Sequence, residues 1–183
     1  LFRLSYLFFN PYWISRKFLQ KKNKKEIYTY GETPLYTWEK VLKHLPLKSD
    51  DLFIELGSGR GRLAFWTTYF YPCQVVAIEW VDLFTSFAKI FKKILNNKKI
   101  QIYNEDFLTF DFTKATVVFL FGTCMEKEEI ISLINKVSTG APKATVVTVS
   151  FPLSDYSELY VTKKVLEGSF PWGKTNIFFN NIC

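Results

Sequence analysis

The chain is poor in the residues that carry most side-chain chemistry. Its 183 residues include one histidine, three cysteines and one methionine. With one imidazole, any Ser-His-Asp or Cys-His scheme would have to run through His44. That residue lies in "TWEKVLKHLPL", near the end of an amphipathic helical pattern, where a surface or capping role is expected. Cys73, Cys124 and Cys183 are scattered and form no CxxC pair. An odd count without metal spacing argues against a disulfide framework and against a zinc site. The expectation is therefore reduced thiols, no metal and a cytoplasmic location. Also lacking is an apolar run long enough to cross a bilayer. The aromatic start "LFRLSYLFFNPYW" is interrupted by Arg3, Asn10 and Pro11. The first residue is leucine, so a membrane or signal segment ahead of Leu1 stays open.

Hydrophobic residues are abundant, at 48%, which excludes a disordered chain and supplies a core for one domain. The net charge is +7, and much of it falls in "RKFLQKKNKK", Arg16 to Lys25. Such a run reads first as a solvated face, and second as a contact for phosphate or an anionic membrane.

Residues 1–27 read as an aromatic and basic arm, helical in parts, and residues 28–183 as one domain. In "YGETPLYTWEKVLKHLPL" a turn leads into a helix, with Pro34 suited to its first turn and Thr33 placed to cap it. Short apolar runs then alternate with helical patterns. "DLFIEL", "QVVAIEW", "IQIYNED", "ATVVFLF" and "KATVVTVS" read as strands. "GRLAFWTTYF", "VDLFTSFAKIFKKILNN" and "EKEEIISLINKV" read as helices. Nearly all-apolar strands suit a parallel sheet covered on both faces. The chain ends with "ELYVTKKVLEGSF" and "TNIFFNNI", two strand-like runs joined by "PWGK" with no helix between them, which reads as an antiparallel hairpin. The expected fold is α/β: a Rossmann-like, doubly wound sheet of seven strands with a C-terminal hairpin and an N-terminal helical arm. This order resembles the class I methyltransferase layout.

An open α/β sheet binds ligands beyond the carboxyl ends of its strands, at the switch point. "IELGSGRGR" lies there, directly after the first strand. A dinucleotide loop, GxGxxG, would ask for glycine at position 62, which is Arg62. The pattern present is Glu55-x-Gly57-x-Gly59-x-Gly61, with Ser58 inside it, and it resembles the loop that binds S-adenosylmethionine (SAM). An acid two residues before the first glycine suits an α-amino group and would repel a pyrophosphate. Glu79 ends the second strand, where an acid accepts hydrogen bonds from a ribose diol. "NEDF" ends the third, where Asp106 and Phe107 could take an adenine amino group and ring. Arg60 and Arg62 read as exposed charge beside the loop.

The stretch from "YGET" to "LGSG", with the "DDLF" lead-in and the "EDFL" segment, resembles a particular family. It is similar to the catalytic core of the non-SET histone-lysine methyltransferases and their small bacterial relatives. The resemblance covers residues 28–110 well and 115–153 in outline. It implies that Glu55, Gly57 and Gly59 hold the methionine end of SAM, under a lid of Tyr30, Glu32 and Thr33. It implies ribose binding by Glu79 and adenine binding by Asp106 and Phe107. Where that family carries an asparagine-rich turn, this chain has Phe121, Gly122, Thr123 and Cys124. Tyr30, Thr33 and Thr123 are the candidates beside the reacting atoms, with Cys124 read as a small buried residue. The expected function is methyl transfer from SAM to an amine, foremost a protein lysine. The alternatives are a small-molecule acceptor, or a module of this fold that binds nucleic acid. The aromatic arm either folds over the pocket or lies on a membrane.

Overall fold

The computed structural model describes residues 10–22, 30–123 and 125–183. The first part of the arm, the end of the lysine run and Cys124 lie outside these residues. The arm contributes helix α1 (Pro11–Lys21), which starts where proline is tolerated in a first turn. Its cap is Asn10, whose side chain accepts from the amides of Tyr12 at 3.0 Å and Trp13 at 3.4 Å. Helix α2 (Leu35–Leu42) follows the lid segment. Pro34, not Thr33, occupies its cap position, and no side chain caps it. Thr33 is instead buried against the glycine-loop helix.

Seven strands form one sheet in the order β3-β2-β1-β4-β5-β7-β6. They are β1 (Leu52–Leu56), β2 (Gln74–Glu79), β3 (Ile100–Asn104), β4 (Val117–Leu120), β5 (Thr145–Val149), β6 (Tyr160–Phe170) and β7 (Gly173–Ile182). Strands β1 to β5 pair in parallel; β7 runs antiparallel to β5 and β6. Helices α3 (Arg62–Phe70), α4 (Asp82–Ile94) and α5 (Lys127–Gly140) connect the parallel strands. The doubly wound sheet and terminal hairpin expected from the sequence are both present. One expectation fails at the edge. Strand β3 buries only one face well, because it has a neighbour on one side and little cover outside. Only the central strands are buried on both faces.

The core explains why the loop after β1 is held firmly. Trp38, Val41 and Leu42 of α2 and Phe53 of β1 are fully buried on one side of the sheet. Burial of each such side chain contributes about 2 kcal/mol. Trp38 packs edge-on against Phe53, and its Nε1 donates to Thr67 Oγ1 at 3.0 Å. On the other side Ile54, Leu56, Val118 and Leu120 meet Ile130, Leu133 and Ile134 of α5. The hairpin is tied in by Asn180, fully buried, which donates to Val146 O at 3.0 Å and accepts from Leu153 N at 3.1 Å. Helix α2 grips β6 through Thr37 Oγ1, which donates to Ser169 O at 2.6 Å. Thus the lid, the glycine loop and the hairpin turn share one rigid support.

His44 is exposed after α2, as expected, with its Nδ1 2.7 Å from Lys164 Nζ. Partial desolvation, followed by the charges of Lys164 and Lys40, lowers its pKa. It is remote from the glycine loop. Among the described residues no group of acids, cysteines and histidine could hold a metal ion.

Candidate active site

Strands β1 and β4 lie side by side while their chain connections run to opposite sides, so β1 ends at the switch point. Glu55 stands near that end in the centre of the sheet, paired with Ala77 and Phe119. The chain then turns through Gly57 and Gly59, at φ +67° and +55°. L side chains rarely adopt these angles. The two glycines serve different ends. Nothing lies within 4 Å of where a Gly57 Cβ would be. A Gly59 Cβ would lie 2.9 Å from Cε2 of Tyr30. The first opens space, and the second admits the lid.

Two connected hollows meet at Gly57. The smaller, about 30 Å³, is lined by the expected lid residues Tyr30, Glu32 and Thr33 and by Glu55, Ser58 and Gly59. Within it Glu55 Oε2 and Ser58 Oγ are buried without a hydrogen-bond partner. Burial raises the Glu55 pKa to about 8; the Ala64 amide opposes this, and the charge of Glu79 adds to it. A buried acid with an unused oxygen is a strong site for an ammonium group. The larger hollow, about 240 Å³, holds Glu79, Asp106, Phe107 and Thr123, with Val81 and Phe84 as apolar wall. Three carboxylates, Glu79, Asp106 and Glu129, line it, and among the described residues no lysine or arginine does. Such a lining disfavours a diphosphate and favours a cation.

Glu79 is buried, and both its oxygens are engaged. Gly59 N donates to Oε2 at 2.7 Å and Val81 N to Oε1 at 2.8 Å. Burial still raises its pKa, against these bonds. It therefore fixes the loop as well as facing the hollow. Asp106 turns one oxygen to Leu108 N at 2.9 Å. Asn104 secures the end of β2 by donating to Glu79 O and Trp80 O, each at 3.0 Å. Gly61 lines neither hollow; it starts α3 at φ +76° and packs near Phe65 and Ala88.

Arg60 and Arg62 overturn their sequence reading as exposed charge. Arg60 is 2% exposed, and both arginines clamp Glu32, at 3.2 Å and 2.8 Å. Arg62 also donates to Thr33 O at 3.0 Å. Tyr30 donates its hydroxyl to Glu32 and packs on Phe84 at 5.0 Å. Tyr30 is therefore a wall, not a free base. Thr33 is buried in the smaller hollow, whereas Thr123 is exposed at the mouth of the larger.

One further part of the site was among the sequence readings, and one escaped the sequence. Helix α1 covers the larger hollow with Ser15, Phe18 and Leu19, and Phe18 meets Trp80 edge-on at 5.4 Å. This agrees with the arm folding over the pocket. Beside the hollows, Phe121, Phe170 and Trp172 form an aromatic stack, with centroids 5.6 Å and 4.8 Å apart along it. Phe121 lines both hollows, and Trp172 is 55% exposed. The only sequence signal was an aromatic pair flanking the hairpin turn in "SFPWGK".

The sheet order and the loop after β1 define a class I methyltransferase fold. Solved structures share it: an RNA methyltransferase from Salinibacter ruber in complex with S-adenosyl-L-homocysteine superposes with a TM-score of 0.67 at 19% identity, covering 82% of this chain and 92% of that one. A geranyl diphosphate C-methyltransferase from Streptomyces coelicolor gives 0.65 at 11% identity, covering 80% and 78%. The family model described as "Histone methylation protein DOT1" matches residues 14–138, and the chain belongs to that family. A histone-lysine N-methyltransferase specific for H3 lysine-79, from Dictyostelium discoideum, is 30% identical over 168 residues. That match covers 74% of this chain and 9% of the Dictyostelium protein.

Proposed function

We infer that the chain is a SAM-dependent methyltransferase acting on an amine, foremost the side chain of a protein lysine. The observation that carries this is the unpartnered, buried Glu55 oxygen beside the open face of Gly57. The residues present fit SAM. Glu55 would meet its α-ammonium, and Tyr30, Glu32 and Thr33 would cover the methionine end. Glu79 would take the ribose diol through the lone pairs its backbone bonds leave. Asp106 and Phe107 would take the adenine amino group and ring. Ser58 Oγ offers a donor for the carboxylate.

When bound, SAM supplies a methyl group on a sulfonium, ready for in-line displacement. The chain's share is position and exclusion of water. The Arg60–Glu32–Arg62 clamp holds the lid down. Phe121 lies along both hollows, where it can shield the reacting atoms from solvent. With Trp172 and Phe170 it presents ring faces that attract an incoming ammonium or methylammonium. The amine must lose its proton before attack, and water can accept it at the exposed mouth near Thr123.

Membership of a histone methylation family supports a protein acceptor. The Phe121-Gly122-Thr123 turn differs from the asparagine-rich one of the resembled enzymes, and this supports a protein other than the nucleosome core. A small-molecule acceptor remains the second reading, favoured by the wide mouth at Thr123. Calorimetric titration of SAM into the wild type, Gly57→Arg and Glu79→Ala tests the cofactor. Micromolar binding lost in both variants is expected, and no binding by a folded wild type would overturn the reading. Labelled SAM added to a protein lysate then separates a protein acceptor from a small-molecule product.

A further inference from the structure

Helix α1 has two faces of opposite character. One packs inward: Ile14 joins Val81 and Phe84, while Ser15, Phe18 and Leu19 cover the larger hollow. The other is exposed, with the Tyr12 ring meeting Tyr30 edge-on at 5.9 Å, and it is not merely polar. At 100° per residue, Tyr12, Trp13, Arg16, Lys17, Gln20 and Lys21 fall within one half of the helix circumference. Tyr12 is 56% and Trp13 57% exposed, and the four that follow are exposed too. The helix contains no acidic residue. Two large aromatics occupy its first turn, and the cations follow along the same face.

We propose that this outer face of α1 is a contact for an anionic lipid bilayer. Charge complementarity is the first argument: three cations and no acid lie on the outer face of one helix, and an anionic surface attracts basic side chains held near it. The aromatics are the second. Tyrosine and tryptophan anchor at the headgroup level, where an apolar body and a polar tip are both satisfied. The third is the sequence leading into the helix, "LFRLSYLFF", which holds one charged residue among apolar and aromatic ones. Such a lead-in has no use on a phosphate backbone. A nucleic acid would also need free ring faces for stacking. One face of Trp13 is taken by Lys17, whose Nζ lies 3.9 Å from the ring centroid. Because the inner face of α1 roofs the candidate active site, a bilayer contact would bring that site to the membrane surface.

The test is co-sedimentation of the full chain with phosphatidylcholine vesicles, with and without phosphatidylglycerol, at two salt concentrations. Binding only to the anionic vesicles, weakened by salt, is expected. The triple variant Arg16→Glu, Lys17→Glu, Lys21→Glu should bind about a hundredfold more weakly. Its far-ultraviolet circular dichroism should match that of the wild type, so that the loss of binding is read on a folded chain. Tryptophan emission should shift to the blue on vesicle binding, and less so in Trp13→Phe. Equal binding to neutral and anionic vesicles, or full binding by the triple variant, would overturn the proposal. So would tight binding to a single-stranded RNA oligonucleotide without vesicle binding, which would assign the face to nucleic acid.

Discussion

Arg62 Nη1 donates to Glu32 Oε2 at 2.8 Å, which joins the lid to the helix that begins at the glycine loop. Arg60, almost wholly buried, holds the other oxygen of the same carboxylate. Removing one partner of a buried pair is costly because the remaining charge has lost its counterion. Glu32→Ala should therefore destabilise the fold by about 3 kcal/mol in chemical denaturation. Arg62→Ala should cost less, since that side chain is 26% exposed and Arg60 still faces Glu32. Equal, small effects would mean that the clamp contributes nothing to holding the lid.

Gly57 and Gly59 should separate strain from function. Alanine at either position meets a positive φ, at a cost of about 1–2 kcal/mol. At Gly57 there is otherwise room, so Gly57→Ala should remain folded yet lose SAM binding in calorimetry, because its methyl enters the hollow. At Gly59 the new Cβ would also strike the Tyr30 ring. Gly59→Ala should lower the melting temperature further and loosen the lid. Pairing it with Tyr30→Ala should recover part of the stability lost, since the clash is then gone.

Much of this architecture was legible because it rests on local signals. Apolar runs such as "FIEL" and "VVAIE", broken by glycine or polar residues, marked the parallel strands, and Glu55, Glu79 and Asp106 followed from their places at strand ends. What stayed hidden depends on contacts between distant segments. Arg60 and Arg62 look like solvent-facing charge until Glu32, far earlier in the chain, arrives to meet them. Thr33 looks like a cap until Arg62 claims its carbonyl. Trp172 looks like a turn residue until the hairpin folds it against Phe121. Charge pairing and ring stacking across the sheet leave no periodic trace in the sequence.

Glu55 should make both stability and binding depend on pH. The folded protein keeps its proton up to about pH 8, whereas an ordinary glutamate loses it near 4.5. Between these values the native state binds more protons than the unfolded state. Stability therefore falls as pH rises through that window, by up to about 1.4 kcal/mol per unit, and the contribution is flat outside it. The raised Glu79 acts in the same sense, so the useful quantity is a difference. Glu55→Gln should gain stability relative to the wild type as pH rises from 4.5 to 8. Binding of an ammonium beside Glu55 should expel the proton. Calorimetry near pH 7, in phosphate and in Tris, should report release of close to one proton by the wild type. Equal heats in the two buffers would show that Glu55 is not the group that meets the ligand.

The aromatic stack gives the sharpest separation between cofactor and acceptor. Trp172 reaches the site through the β6–β7 turn and touches Phe121 at a centroid distance of 5.5 Å, but it lines neither hollow. Trp172→Ala should therefore leave SAM affinity unchanged. An ammonium over a partly exposed ring gains about 1 kcal/mol, so kcat/KM for a lysine-bearing protein should drop about fivefold. Trp172→Phe should restore most of it, because a ring face returns. Phe121→Ala should harm both measurements, since Phe121 borders both hollows and supports the stack. Steady-state rates with labelled SAM, beside calorimetric affinities for the same variants, decide the matter. If Trp172→Ala weakened SAM binding as much as turnover, the stack would belong to the cofactor side, and the acceptor would have to enter past Thr123.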